Sequence, residues 1–568
     1  MPYHAAVSDV RFILDHVAGF DRVAATDRFA DATPDTITAI LTEAARLADD
    51  ILAPLNRAGD KHPARLENGV VRTSPGFAEA YRALADGGWI GLAAAPDHGG
   101  MGLPQTLATA VNDMFSGANL ALQLNPLLTV GQIEALEHHA SDDLKALYLP
   151  KLISGEWQGT MNLTEPQAGS DVGALTTKAE PRGDGSYAIT GQKIYITWGD
   201  ADFARNICHL VLARLPDAPK GSGGISLFLV PKFLPDAAGN PGPRNSLSVV
   251  SLEHKLGLHG SPTCVMQYDA AQGWLVGEPN RGLAAMFTMM NNARLGVGMQ
   301  GVGVAEAALQ QAVDYALNRR QGRGPVADHG TIIDHADVRR MLATMRAEVF
   351  SARAIGLSCA VAIDMARATG SAEWEARAAL LTPIAKAYGT DTGISVSQQA
   401  VQVHGGMGFI EDTGIAQFSR DVRITAIYEG TNGIQAMDLV GRKMQDGGEA
   451  AFRLIDEVQA GAEAARAALP DLAGDVWAAA ESLRDATESL VKAGMNDRFA
   501  GAVPYLRAFA LVLGGHFHLR AALAGGDKRA ALARVAIKRI LPAHAAALAE
   551  AREGADTLYA LSAEDLAA

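Results

Sequence analysis

Residues 424–438 read ITAIYEGTNGIQAMD. A β-branched and aromatic run, Ile424 to Tyr428, meets a single carboxylate, Glu429, and then the turn Gly430-Thr431-Asn432-Gly433. The simplest reading of a lone glutamate there is a solvated turn residue. The chemical alternative is a general base, because burial among apolar side chains raises a carboxyl pKa from about 4.3 toward neutrality and strengthens it as a proton acceptor. A second stretch, LTEPQAGSDVGALTTKA (163–179), offers the hydroxyls of Thr164, Ser170, Thr176 and Thr177. Its Ala168-Gly169 pair lets backbone amides come close to a flat or anionic ligand. Taken alone, that stretch reads equally well as a capped loop. The strand-like KIYIT adds Tyr195 and Thr197, NNARLGVG sets Arg294 in an apolar helix, and QAVQVHGGMGF presents Gln402 with Gly405-Gly406.

Other apparent signals are set aside on context. GVGMQG (296–301) matches a dinucleotide-binding fingerprint, but the AAMFTMMNNARL before it is helical and no βαβ unit follows, so its glycines read as close helix packing. His138-His139 and the pair His516/His518 lack the spacing of a helical metal site, and no metal is expected. No serine-nucleophile elbow is present, so hydrolysis is unsupported.

The elements that must position these residues fall in blocks. Residues 34–158 read as helices, opened by a Thr/Asp capping signal in TPDTITAILTEAARLADDIL. Residues 159–279 alternate short Val, Ile, Thr, Tyr and Phe runs with Gly, Asp and Pro turns, the pattern of a β-sandwich or barrel. Helical periodicity returns over 280–445, and Val338, Met341, Leu342, Met345, Val349, Ala352 and Cys359 recur at three- and four-residue spacing. Residues 1–33 form an N-terminal extension, and 446–568 an alanine-rich helical end piece after the MQDGGEAA break. The expected fold is mostly α with a β domain.

Size and charge bound the function class. At 568 residues several domains are expected, and a formal charge of −14 argues against a general phosphate-backbone binder. Cys208, Cys264 and Cys359 are too far apart for a disulfide framework or a CxxC pair, which points to a reducing cytoplasm. No signal peptide and no uninterrupted run of 18 apolar residues is read.

Four segments, YLPKLISGEWQGTMNLTEPQAGSD, ITGQKIYIT, QVHGGMGF and RDVRITAIYEGTNGIQ, resemble the signature segments of acyl-CoA dehydrogenases in order and approximate spacing. The resemblance covers roughly residues 80–445. It implies an N-terminal helical domain, a middle β domain and a four-helix bundle, with non-covalent FAD held between the last two. It further implies that Met161, Leu163, Thr164, Gly169 and Ser170 line the isoalloxazine, with Ser170 also near the substrate, and that Tyr195 and Thr197 lie against the flavin. Arg319 resembles the arginine offered to the FAD pyrophosphate by a neighbouring subunit, and Gln402, Gly405 and Gly406 the loop that holds it. Thr431 falls on the cofactor side. Arg294, Tyr428 and Gly430 fall on the substrate side, and Glu429 matches the catalytic base. The implied partners are an acyl-CoA thioester and electron-transfer flavoprotein, in a homodimer whose second face the extra C-terminal helices cover.

The chain departs from the family pattern at Tyr195, usually tryptophan, at Gln321-Gly322-Arg323, usually Thr-Phe-Gly, and at Gly433, often glutamine. The extension and the end piece resemble an enlarged subgroup of bacterial 3-methylmercaptopropionyl-CoA and broad-range fatty acyl-CoA dehydrogenases. That resemblance implies a short or medium straight-chain substrate, with 3-methylthiopropanoyl-CoA a candidate. Two alternatives within the superfamily are an oxygen-using acyl-CoA oxidase and a flavin-bearing DNA-binding protein. The second lacks an electrostatic footprint, since residues 451–568 hold 13 Lys and Arg against 15 Asp and Glu.

Overall fold

The computed structural model describes residues 3–326 and 329–568. Helices take up both ends of the chain and a sheet its middle, the order the sequence implies. Two compact units form, one from residues up to Ala45 with Pro104–Gly117 and Arg294–Ala568, the other from Arg46–Leu103 and Ala118–Ala293.

The second unit is built on a seven-stranded sheet of β1 (Trp157–Asn162), β2 (Lys178–Pro181), β3 (Tyr187–Thr197), β4 (Asn206–Ala213), β5 (Ser226–Pro231), β6 (Leu247–Leu252) and β7 (Thr263–Val276). Its order is β1-β4-β5-β7-β3-β2, with β6 also paired to β7. Only β1 and β4 run parallel. Strands β4 and β5 are buried along their whole length, which is why NICHLVLA and SLFLVP read as near-continuous apolar runs and not as alternating ones. Val211, Phe228, Met266 and Tyr268 lie in the core of this sheet. One irregularity matters for the site. Ile196 pairs with Cys264 and Lys193 with Met266, so Ile194 and Tyr195 oppose Val265 alone in a β-bulge.

The first unit contains the bundle helices α1 (Gly282–Asn318, from Arg294 onward), α2 (Ala336–Thr369) and α3 (Ala372–His404), the short α4 (Asn432–Gly441) and the long α5 (Ala502–Val535) of the end piece. The GVGMQG segment lies inside α1. A Cβ added at Gly298 would stand 2.6 Å from Ala385 O, and one at Gly301 2.3 Å from Gly389 O, so the α1 and α3 backbones touch there. Met341, Met345, Val349, Ala352 and Cys359 form the buried face of α2. The same helix buries Arg353, satisfied by Asp113 (2.6 Å) and Glu306 (3.1 Å). His518 Nε2 pairs with Ala347 O at 3.0 Å and ties α5 to α2.

Among the described residues two helical stretches, Ala336–Thr369 and Ala502–Arg552, are long and apolar enough to cross a membrane although neither is an uninterrupted apolar run. Their most apolar windows are 89% and 78% buried inside the protein, which is how core helices satisfy the same criterion.

Candidate active site

Glu429 stands between a 3₁₀ turn, Arg423–Ala426, and α4. Its backbone is left-handed (φ +56°), uncommon for a residue with a side chain and held only where surrounding bonds over-determine it. Those bonds are present. Gln435 Nε2 donates to the carbonyls of Glu429 (3.2 Å) and Gly430 (3.4 Å), and Gly430 continues the turn at φ +84°. Thr431 Oγ1 caps α4 by accepting from Ile434 N at 3.2 Å. Asn432 then fastens the start of α4 to α3. Its Oδ1 accepts from Lys386 Nζ at 2.9 Å, and its Nδ2 donates to Asp391 Oδ1 at 2.7 Å and Thr390 Oγ1 at 3.0 Å.

The Glu429 residue is part-exposed, but its Oε2 is closed off from solvent and has no hydrogen-bond partner among the described residues. Burial raises the carboxyl to about 7, against the opposing pull of Arg294 and Lys386. The apolar run before it does not supply this dry setting by itself. Ile427 is 47% exposed and Ile424 is only part-buried, so the enclosure is tertiary. Arg294, from α1, is buried and lies 3.7 Å from Asp438, which also bonds Arg442 at 2.6 Å. Tyr428 donates its hydroxyl proton to Gln300 Oε1 on α1. Glu429, Tyr428, Gly430, Thr431 and Arg294 are thus brought together in one unit.

In the sheet unit a second group assembles. Met161 lies in β1 next to its last residue, Leu163 and Thr164 follow the strand, and Thr164 O accepts from Ile194 N at 2.9 Å, which places this loop next to the bulge. Lys193, fully buried, donates to Leu163 O (2.9 Å) and Glu165 Oε1 (2.8 Å). Glu165 in turn accepts from the backbone and hydroxyl of both Thr176 and Thr177, so both hydroxyls are committed to building the loop, although Thr176 itself is exposed and only Thr177 is buried. What the loop leaves open is Gly169 and Ser170. A Cβ on Gly169 would meet only Thr164 Cγ2, at 4.0 Å, and Ser170 is exposed. At the bulge Tyr195 adopts φ +60° and is 60% exposed, with Thr197 part-exposed beyond it. A large exposed aromatic ring, hydroxyls and open backbone suit a broad, flat, polar ligand.

Gln402, Gly405 and Gly406 occupy the last turn of α3 and the loop after it. All three are exposed, and nothing lies within 4 Å of a Cβ built on either glycine. Arg319, just past α1, is exposed and is brought to the same end of the bundle by stacking of Tyr315 on His404, at 4.2 Å between rings. Sixteen residues of α3 separate Lys386 from Gln402, which at about 1.5 Å per residue puts this loop roughly 24 Å along the helix from the Glu429 group. No group of metal-binding side chains occurs among the described residues.

Sequence reasoning missed Lys386, Asn432, Gln435, Gln300, Lys193 and the central place of Glu165. One signal was readable. The lone lysine in LLTPIAKAYG sits inside an otherwise apolar helix face, where it requires a nearby acceptor or carboxylate.

Comparisons with known proteins agree along the length of the chain. Models described as acyl-CoA dehydrogenase N-terminal, middle and C-terminal domains match residues 35–156, 160–271 and 280–444. A further model, acetyl-CoA dehydrogenase C-terminal like, matches 454–562. A 3-methylmercaptopropionyl-CoA dehydrogenase of Ruegeria pomeroyi is 46% identical over 522 residues, 89% of this chain and 88% of that protein. A butyryl-CoA dehydrogenase of Syntrophomonas wolfei is 35% identical, over 78% and 75% of the two chains. Caenorhabditis elegans ACDH-11, solved in complex with C11-CoA, shares the fold at a TM-score of 0.80 and 20% identity, covering 95% of this chain and 92% of its own.

Proposed function

Because the chain belongs to the acyl-CoA dehydrogenase family, we propose that it oxidises a short acyl-CoA thioester to the trans-2-enoyl-CoA, with Glu429 taking the α-proton. As a member of that family it is an FAD-dependent oxidoreductase. The residues present fit that cofactor, given the exposed Tyr195 ring, the open Gly169-Ser170 backbone and the Gly405-Gly406 turn that no side chain fills. FAD, when bound, supplies the acceptor for the hydride that leaves Cβ.

The remaining work falls to the protein. A thioester α-proton is a weak acid, so its removal needs a base aimed at Cα and poised near the working pH. The observation that carries the proposal is the Glu429 carboxyl, with one oxygen buried and unpartnered and its pKa near 7, on a turn held by Gln435, Thr431 and Asn432. A carboxylate hydrogen-bonded on both oxygens would be a weaker base, and one in free solution would be protonated only at acid pH. Arg294 brings a cation to the same side and favours the ionised form of the base before it takes the proton.

The proposed substrate is 3-methylthiopropanoyl-CoA or a short straight-chain acyl-CoA, and the proposed electron acceptor is electron-transfer flavoprotein. The first is supported by the 46% identity to the Ruegeria protein, and the second by family resemblance. A homodimer is supported by the open Gln402–Gly406 loop and the exposed Met407 and Phe409 beside it, far along α3 from Glu429, where a cofactor bound in a second copy can use them.

Anaerobic stopped flow of the FAD-loaded protein with 3-methylthiopropanoyl-, butyryl- and palmitoyl-CoA tests the reading. Rapid bleaching of the flavin band with the first two is expected. Bleaching with palmitoyl-CoA alone would overturn the substrate, and none with any thioester the reaction. The same preparation is expected to scatter light with the mass of two chains, and a monomer mass would remove the shared loop.

A further inference from the structure

A buried base near neutrality faces a difficulty. With its pKa at about 7, half of the Glu429 carboxyls would be protonated and unreactive at pH 7. Whatever cation faces it sets the fraction that can work. Two do, Arg294 from α1 and Lys386 from α3, and Tyr428 is the other ionisable neighbour. The Arg294 charge is already shared with Asp438, 3.7 Å away, which also holds Arg442.

Lys386 is placed differently. It is fully buried, and the acceptor within hydrogen-bond reach is the neutral amide oxygen of Asn432, at 2.9 Å. No carboxylate lies within ion-pair distance of it among the described residues. The charges it faces are Glu429 and Asp391, with Arg294 opposing, and Asp391 in turn faces Arg507 and Arg423. Burying an ammonium without a direct counter-ion is costly, and its pKa is drawn down to about 8 by that burial, against Glu429 and Asp391. Asn432 links this lysine to the turn, because it lies three residues past Glu429 and its other bonds run to Asp391 and Thr390 on α3.

We infer that Lys386 is a positioning residue for the Glu429 base: its buried ammonium, anchored on Asn432, favours the ionised carboxylate and pins the left-handed turn that carries it. This rests on the reading of Glu429 as the α-proton base. The sign follows directly. A cation beside a carboxyl lowers its pKa, so removing the cation raises it and protonates the base over a wider range of pH.

The test compares Lys386→Met, Lys386→Gln and Lys386→Arg in the FAD-loaded protein. Lys386→Gln removes the charge while keeping an N–H donor, on a side chain one atom shorter, whereas Lys386→Arg keeps the charge. Two readouts are taken against pH, the rate of anaerobic flavin reduction and the substrate-free infrared carboxyl band of Glu429, identified by difference against Glu429→Gln. Both midpoints are expected to rise by about one pH unit in Met and Gln, the lower end of what one opposite charge produces, and to stay near the parent value in Arg. At pH 7 the rate then falls about fivefold in the two uncharged variants and recovers as pH rises. Unmoved midpoints, or slowing by the same factor at every pH, would overturn the inference. If Lys386→Met does not fold, as judged by its melt, Lys386→Gln carries the same test. A parent protein that reduces no flavin with any thioester defeats the reaction itself. A parent that reacts, with Lys386 variants unmoved, defeats only this assignment.

Discussion

Glu165 and Glu429 are both glutamates set against a buried lysine from a neighbouring element, and they have opposite characters. Glu165 accepts from Lys193, from the backbone and hydroxyl groups of Thr176 and Thr177, and from Gln167. Burial alone would raise its pKa, but the Lys193 charge and these donors outweigh it and hold the carboxyl down at about 2. Glu429 has one oxygen with no donor among the described residues, and its cations stand off, so burial wins and the carboxyl rises to about 7. The difference is one of donor count. A carboxylate satisfied on both oxygens is an anchor that ties a loop to a strand, whereas one left unsatisfied in a dry place keeps its affinity for a proton.

The comparison breaks most visibly at Glu429. Glu429→Gln is expected to keep its fold and bound FAD and to lose about 10²–10⁴-fold in flavin reduction, the usual contribution of a positioned base. Retention of more than about a tenth of the parent rate in stopped flow, against that expectation, would move the base elsewhere.

The reciprocal change at the anchor is expected to affect stability. Lys193→Met leaves Glu165 buried without its counter-ion, and breaking such a pair typically costs about 3–5 kcal/mol. The denaturation midpoint of the variant measures it, and a loss below about 1 kcal/mol would mean that the threonine donors alone suffice.

A smaller, sharper distinction lies in pH. Glu165 has a depressed folded pKa, so its contribution is fully present above its ordinary value of 4.5 and is lost as pH falls toward 2. Glu429 has a raised one. Between 4.5 and about 7 the folded state binds the extra proton, and stability declines as pH rises through that window. Urea melts from pH 4.5 to 7 should therefore show Glu429→Gln gaining on the parent with rising pH. Parallel curves would mean that Glu429 is solvated after all.

Much of this was legible in the chain alone. Period-3.6 patterning set out the helices, and Val, Ile, Thr, Tyr and Phe runs between Gly, Asp and Pro turns set out the sheet, because burial leaves its mark in the residues themselves. The Ile424–Gly433 stretch made Glu429 conspicuous as a lone acid between an apolar run and a turn, and the family resemblance made it the candidate base. Three features were not legible, for one reason. The closure of Oε2, the Lys386–Asn432 anchor and the donors around Glu165 join residues from different elements, with Lys386 and Asn432 46 positions apart. The Tyr195 bulge likewise depends on pairing with β7, since KIYIT by itself reads as an ordinary strand. Local sequence therefore decided which residue types were available and which elements carried them. Only tertiary packing decided how many donors reached each carboxylate, and so which glutamate became the anchor and which became the candidate base.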